Sequence, residues 1–244
     1  MSAYFAVVPA AGIGSRFGGS QAKQYSLLAG QPVMAHSLQR LLSLSEITHI
    51  ALVLAAHDEQ AQHITAVCDA RISCIVGGAE RMDSVLAGLL SLTQARDDDW
   101  VLVHDVARPL VRPEDVRALI SACADDAVGG LLAHEARDTM KRGVVTEASV
   151  EASTALRVAA TIPRDGLLHA LTPQLFRYGL LRDALLAARA DGVVVTDEAA
   201  AIERLGHRPR LVAGARDNLK ITYADDLALA AFYLSAQRAQ GVCP

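Results

Sequence analysis

The chain has 244 residues, 52% hydrophobic and only 4% aromatic, enough for a sizeable core built on Ala, Val, Leu and Ile. Its net charge of −4 argues against a uniformly basic, nucleic-acid-binding surface, so a phosphate site must gather its cations locally. No apolar run approaches the roughly 18 residues of a membrane helix, and Cys68, Cys74, Cys123 and Cys243 form no C-x-x-C pair. Reduced thiols, a cytoplasmic location and no membrane or nucleic-acid partner are therefore expected.

The first predicted strand, residues 4–8, runs into the loop Pro9-Ala10-Ala11-Gly12-Ile13-Gly14. Further apolar runs predict strands at 49–54, 72–76, 100–104, 131–133, 192–195 and 210–213. Between them, Met82, Val85, Leu86, Leu89 and Leu90 follow helical spacing, as do Val116, Leu119, Ile120 and Cys123. Leu227, Ala230, Ala231 and Leu234 mark a last helix beginning after Thr222, with a frayed tail beyond Ser235. Strands alternating with helices imply an α/β, three-layer sandwich on a mainly parallel sheet. Residues 134–161 break the rhythm: they are polar, and residues 144–146 and 156–158 predict a protruding hairpin around the loop 147–154. A disordered surface loop is the other reading of that segment.

Gly12, Gly14 and Gly18 do not have dinucleotide-fingerprint spacing, and the first acid after them, Glu46, is too far along to hold a ribose. No Gly-Lys-Ser/Thr follows, so the loop is not a P-loop either. What remains is a strand, a glycine loop and two cations, Arg16 and Lys23, which suit phosphate oxygens or form a plain tight turn with solvated charges. No Tyr-x-x-x-Lys occurs at Tyr25, Tyr178 or Tyr223, which opposes an oxidoreductase. Asp97-Asp98-Asp99 is expected in a solvated loop, and Arg177, Arg182 and Arg189 on a solvated helix face. His104 neighbours Asp105 on a predicted strand, so the two point apart and His104 is expected to be packed rather than catalytic.

Other segments narrow the reading. Pro9 to Arg16 with Lys23-Gln24-Tyr25, then Gly77-Gly78-Ala79-Glu80-Arg81-Met82-Asp83-Ser84-Val85, then Val103-His104-Asp105-Val106-Ala107-Arg108-Pro109 appear in order. Asp138-Thr139-Met140-Lys141, Arg164 with Leu171-Thr172-Pro173-Gln174, Thr196-Asp197-Glu198-Ala199 and Asp217-Asn218-Leu219-Lys220-Ile221-Thr222 follow. In order and spacing, from about residue 4 to 234, they resemble the 2-C-methyl-D-erythritol 4-phosphate cytidylyltransferase family. Three departures stand out: Ala22 where the family usually has proline, Val106 where it usually has alanine, and Pro163 before Arg164.

The resemblance implies one Rossmann-like nucleotidyltransferase domain over residues 1–244, with a dimerisation arm at about 134–161. It implies transfer of CMP from CTP to methylerythritol 4-phosphate with release of pyrophosphate; another polyol or sugar phosphate is the alternative acceptor. Arg16 and Lys23 would stabilise the α-phosphate and pyrophosphate, with the backbone of Ala10, Ala11, Gly12 and Gly14 around the triphosphate. Gly78, Ala79 and Ser84 would face the cytosine, and Asp105 and Arg108 the junction of nucleotide and acceptor. Thr139, Arg164, Thr172 and Lys220 would hold the acceptor, with Arg164 supplied by the neighbouring subunit of a homodimer that shares its active site. Mg2+ would come with the triphosphate, Asp105 being the best protein contact and Asp217 a weaker one.

Overall fold

A computed structural model describes residues 2–12, 17, 22–146 and 155–242. Arg16, Gly14, Cys243 and the predicted loop 147–154 lie outside them. In chain order the elements are β1 (Tyr4–Pro9), β2 (Leu27–Leu28), β3 (Gln31–Pro32), α1 (Val33–Leu42), β4 (Ile47–Leu54), β5 (Ile72–Val76), α2 (Arg81–Ser91), β6 (Trp100–Val103) and α3 (Pro113–Cys123). They continue as β7 (Gly129–Glu135), β8 (Met140–Thr146), β9 (Ala155–Ile162), β10 (Leu168–Arg177), α4 (Tyr178–Ala190), α5 (Glu198–Arg204), β11 (Arg210–Ala213) and α6 (Asp226–Ala239).

Seven strands form one sheet in the order β11-β7-β10-β6-β1-β4-β5. β10 alone runs against its neighbours, so the sheet is mainly parallel, as expected. Alternation along β1 explains the layers: Ala6 and Val8 face a core with Met34, Leu38, Val116 and Leu119 from α1 and α3. Phe5 and Val7 face the opposite core with Val85 and Leu89 of α2 and Leu181 of α4. Buried on both faces, these strands read as continuous apolar runs. A third cluster joins α6, through Ala230 and Leu234, to Leu28, Leu110 and Ile221.

Several expectations are corrected. Residues 192–195 form no strand: Gly192, at φ +66°, caps α4, and Val193 N–H bonds back to the Ala188 carbonyl as the chain leaves the helix. The last helix runs beyond Ser235 to Ala239, and the strand expected at 100–104 ends at Val103. Asp99 is buried rather than solvated, accepting from the Ala3 and Arg96 N–H groups. Arg177 is not on a solvated helix face either; its guanidinium stacks 3.7 Å over the Trp100 ring.

The arm is a separate antiparallel pair, β8 with β9. It leaves Val144, Val145, Leu156 and Val158 exposed.

Candidate active site

The loops after β1, β5 and β6 meet where the strand order reverses: β4 and β5 build outward on one side of β1, and the chain then returns to β6 on the other. Open α/β sheets bind ligands at that crevice. Here it is a cavity of about 300 Å³, at the small end for ligand sites. Ala10, Ala11 and Gly12 line it from the first loop, Gly78 and Ala79 from the loop after β5 and Ser84 from the first turn of α2, with Lys23, Arg81, Asp105 and Lys220 among the other lining residues. Lys23, Arg81 and Lys220 outnumber the carboxylates Glu80 and Asp105 in the lining, so a chain of net charge −4 has gathered cations at one place.

Close packing fixes the loops. A Cβ on Gly78 would lie 2.4 Å from Asp83 Cβ, and one on Gly77 would meet Ser84 Oγ at 2.7 Å and Ala11 Cβ at 2.8 Å. The buried Ser84 hydroxyl accepts from Gly78 N–H at 3.2 Å. Asp83 accepts from the Glu80 N–H, closing the first turn of α2. Gln24, buried, donates to the Ala10 carbonyl at 2.9 Å and so ties the lysine segment to the first loop. Lys23 Nζ reaches the Ile221 carbonyl at 3.1 Å.

At Ala22, φ is −64° and ψ 136°, within the range of proline. Ala22→Pro should therefore raise unfolding stability by about 0.4–1 kcal/mol, by restricting the unfolded chain. Denaturant unfolding checks this, and a loss of stability would show a backbone incompatible with the ring.

The charges form an alternating chain. Glu198, fully buried, grips Arg81 with both oxygens, at 2.6 and 3.1 Å. Arg81 donates from Nε to Asp105 Oδ1 at 3.0 Å, with Nη2 2.9 Å from the same oxygen, while Lys220 Nζ lies 2.7 Å from Oδ2. Burial would raise the Asp105 pKa, but Arg81, Lys220 and Arg108 outweigh it and hold the carboxyl well below the usual carboxylate range. Burial likewise opposes the Arg81 charge, and Glu198 and Asp105 overcome that and hold it firmly protonated. Burial pushes the Glu198 carboxyl up, with Arg81 opposing. Arg108, whose pKa burial lowers against the pull of Asp105, donates through Nη1 to the Asn218 carbonyl at 2.8 Å. Its buried Nε has no hydrogen-bond partner among the described residues.

Other predicted residues sit differently. Thr172 is buried, its hydroxyl accepting from Asp105 N–H and bonded to His104 Nδ1, each at 3.0 Å. Thr139 and Arg164 are exposed where the arm joins the sheet, Arg164 donating to the Arg137 carbonyl; neither lines this chain's cavity. Sequence reasoning did not single out Gln24, Arg81 or Glu198, although all three lie inside the segments of the resemblance.

His104 is wholly buried and packed, as expected, although it lies just past the end of β6, with Nε2 on the Arg108 carbonyl. Burial lowers its pKa from 6.5 to about 4, with Asp105 pulling back only in part. In that window the unfolded chain binds the extra proton, so folding stability falls as pH drops. Between about pH 7 and pH 5 the loss should be about 2 kcal/mol. Unfolding curves at both pH values test this; a His104→Gln variant should lack that part of the slope.

The family model for 2-C-methyl-D-erythritol 4-phosphate cytidylyltransferase matches residues 4–236. The chain belongs to that family. It is 44% identical over 229 residues to the 2-C-methyl-D-erythritol 4-phosphate cytidylyltransferase of Photobacterium profundum, covering 94% of this chain and 95% of that protein. Identity to the Paraburkholderia phymatum protein of the same name is 47% over 233 residues, with 94% and 95% covered. The crystal structure of the Francisella tularensis enzyme superposes with a TM-score of 0.80 at 30% identity, covering 95% of this chain and all of that one. As a member of this family the chain is a nucleotidyltransferase.

Proposed function

We propose that the cavity joins CTP to 2-C-methyl-D-erythritol 4-phosphate, giving 4-diphosphocytidyl-2-C-methyl-D-erythritol and pyrophosphate in non-mevalonate isoprenoid biosynthesis. An oxygen of the acceptor phosphate forms the new bond to the α-phosphorus of CTP, and the bond to the departing pyrophosphate breaks. The attacking phosphate has its second pKa near 6, so it arrives ionised and needs no strong general base. The barrier is the approach of two anions, which positioning and charge neutralisation lower. The observation that carries this reading is the convergence of Lys23, Arg81, Asp105 and Lys220 on one cavity with the Ala10–Gly12 and Gly78–Ala79 backbones.

In this reading Lys23 and Arg16 meet the α-phosphate and pyrophosphate, and Gly78, Ala79 and Ser84 meet the cytosine. Asp105, Arg108, Thr172 and Lys220 serve the acceptor side, where the unsatisfied Arg108 Nε offers a donor. Asp105 already meets Arg81 and Lys220, and the described residues hold no cluster of three His, Cys, Asp or Glu. This donor set fits Mg2+ bound mainly by nucleotide oxygens, with Asp105 the protein carboxylate within reach. The metal would supply charge neutralisation at the phosphates.

Pyrophosphate release from CTP with Mg2+ and methylerythritol 4-phosphate, beside ATP, GTP, UTP and a no-acceptor control, tests the whole reading. Release should require both CTP and this acceptor; release with another polyol or sugar phosphate instead would move the assignment to that substrate.

The reading includes a cytoplasmic homodimer. Among the described residues no helix is long and apolar enough to cross a membrane. The exposed Val145, Leu156 and Val158 on the arm, with Thr139 and Arg164 at its base, support docking that carries those two polar side chains into a partner's cavity. Mixing Arg164→Ala with Lys23→Ala should then restore activity in heterodimers, because one of the two sites receives both intact residues. Verified heterodimers with no recovery would show that each chain completes its own site.

A further inference from the structure

Lys220 stands at the end of a short segment, Asp217-Asn218-Leu219-Lys220, between β11 and α6. The site chemistry uses Lys220 and leaves Asp217 unexplained. Asp217 is 8% exposed and does not line the cavity. Arg112, the residue before α3, grips both its oxygens through Nε at 3.1 Å and places Nη2 2.6 Å from Oδ2. Gln237 of α6, wholly buried, donates from Nε2 to the same Oδ2 at 3.0 Å and to the Leu110 carbonyl at 2.9 Å. The Gln237 carbonyl oxygen in turn accepts from Arg40 of α1.

These contacts link three helices to the backbone that carries Lys220. On the other side of Asp217, Asn218 donates to the Thr172 carbonyl and accepts from Arg108. Ile221 donates to the Ala107 carbonyl and accepts from Lys23 Nζ. One short stretch of backbone therefore sets the cations of the acceptor side and touches the catalytic lysine.

We propose that Asp217, clamped between Arg112 and Gln237, is a positioning residue that holds Lys220 against Asp105, making the C-terminal helix part of the acceptor site. A buried polar network with both carboxylate oxygens engaged fixes one backbone position, and partial satisfaction would release it. This rests on the reading of Lys220 as an acceptor-side group.

The test is steady-state kinetics on full-length Asp217→Asn and Gln237→Met, alone and combined with Lys220→Ala, with thermal unfolding beside them. Asp217→Asn should raise KM for methylerythritol 4-phosphate about tenfold, the scale of one charge-assisted hydrogen bond. KM for CTP should stay within about twofold. Gln237→Met should move the same constant in the same direction. In the Lys220→Ala background most of the Asp217→Asn effect should vanish, because the group it positions is gone. A purely structural role would instead move both KM values together with stability, or leave the effect intact beside Lys220→Ala. Either result overturns the proposal, as does normal kinetics in Asp217→Asn beside an impaired Lys220→Ala. An unimpaired Lys220→Ala would sink the acceptor role of Lys220 itself, and the brace with it.

Discussion

Lys23→Ala should slow turnover at least about a hundredfold, the loss expected when one preorganised transition-state donor is removed. The negative charge that builds at the α-phosphate and on the leaving pyrophosphate is the obstacle in this reaction. Lys23 lies in the cavity with its ammonium tethered to the Ile221 carbonyl, and its segment is fastened to the first loop through Gln24. Its charge is thus placed before substrate arrives and needs little reorganisation at the transition state. The loss should fall on kcat and kcat/KM together, the pattern of an interaction made mainly in the transition state. Lys23→Arg keeps the charge but replaces a point with a planar fork, and should recover only part of the rate. Near-normal turnover in Lys23→Ala, measured as pyrophosphate release, would remove this lysine from the mechanism.

How far the sequence led can be judged at particular residues. The double-sided apolar runs of β1, β4 and β6 were legible because a parallel sheet covered on both faces demands them. β10 was not. Pro173 interrupts it, and a proline within a run argues against a central strand. The structure accommodates it where the pairing with β7 shifts register between Ala170 and Gln174. The false strand at 192–195 shows the converse error. Its valines look like sheet, but Val194 is 63% exposed and the stretch only leads out of a glycine-capped helix. The arm was legible as a break in rhythm, and its two strands pair as expected.

At the site, three of the charged residues singled out in the sequence, Lys23, Asp105 and Lys220, line one cavity, and Arg81, which lines it too, was missed. Residues that contact those side chains or their backbone escaped. Asp217 looked like a weak metal contact, yet its oxygens are taken by Arg112 and Gln237, partners 105 and 20 residues away in sequence. Nothing local to Asp217 signals such partners. The same holds for Glu198, which reads as an ordinary acid in the first turn of a helix. Only the fold brings it to Arg81, 117 residues earlier in the chain.

That pairing gives the second large expected effect. Glu198→Ala should lower the unfolding free energy by about 3 kcal/mol, the lower end for breaking a buried ion pair by removing one partner. The lower end applies because Arg81 keeps Asp105 and its side chain remains 29% exposed. Glu198 itself is 1% exposed, and the guanidinium that meets both its oxygens is what opposes the cost of burying its charge. The double variant Arg81→Met with Glu198→Leu separates the two costs. Removing both charges leaves no Glu198-deprived Arg81, so part of the stability should return, since apolar replacement of a whole buried pair is often neutral or better, while the part held by the Arg81 contact to Asp105 stays lost. Activity should not return with it, because Asp105 would then have lost the Arg81 contact that helps hold it ionised beside Lys220. Equilibrium denaturation with turnover on the same samples checks both halves. If the double variant regains stability and full turnover together, the Glu198–Arg81 pair serves only the fold.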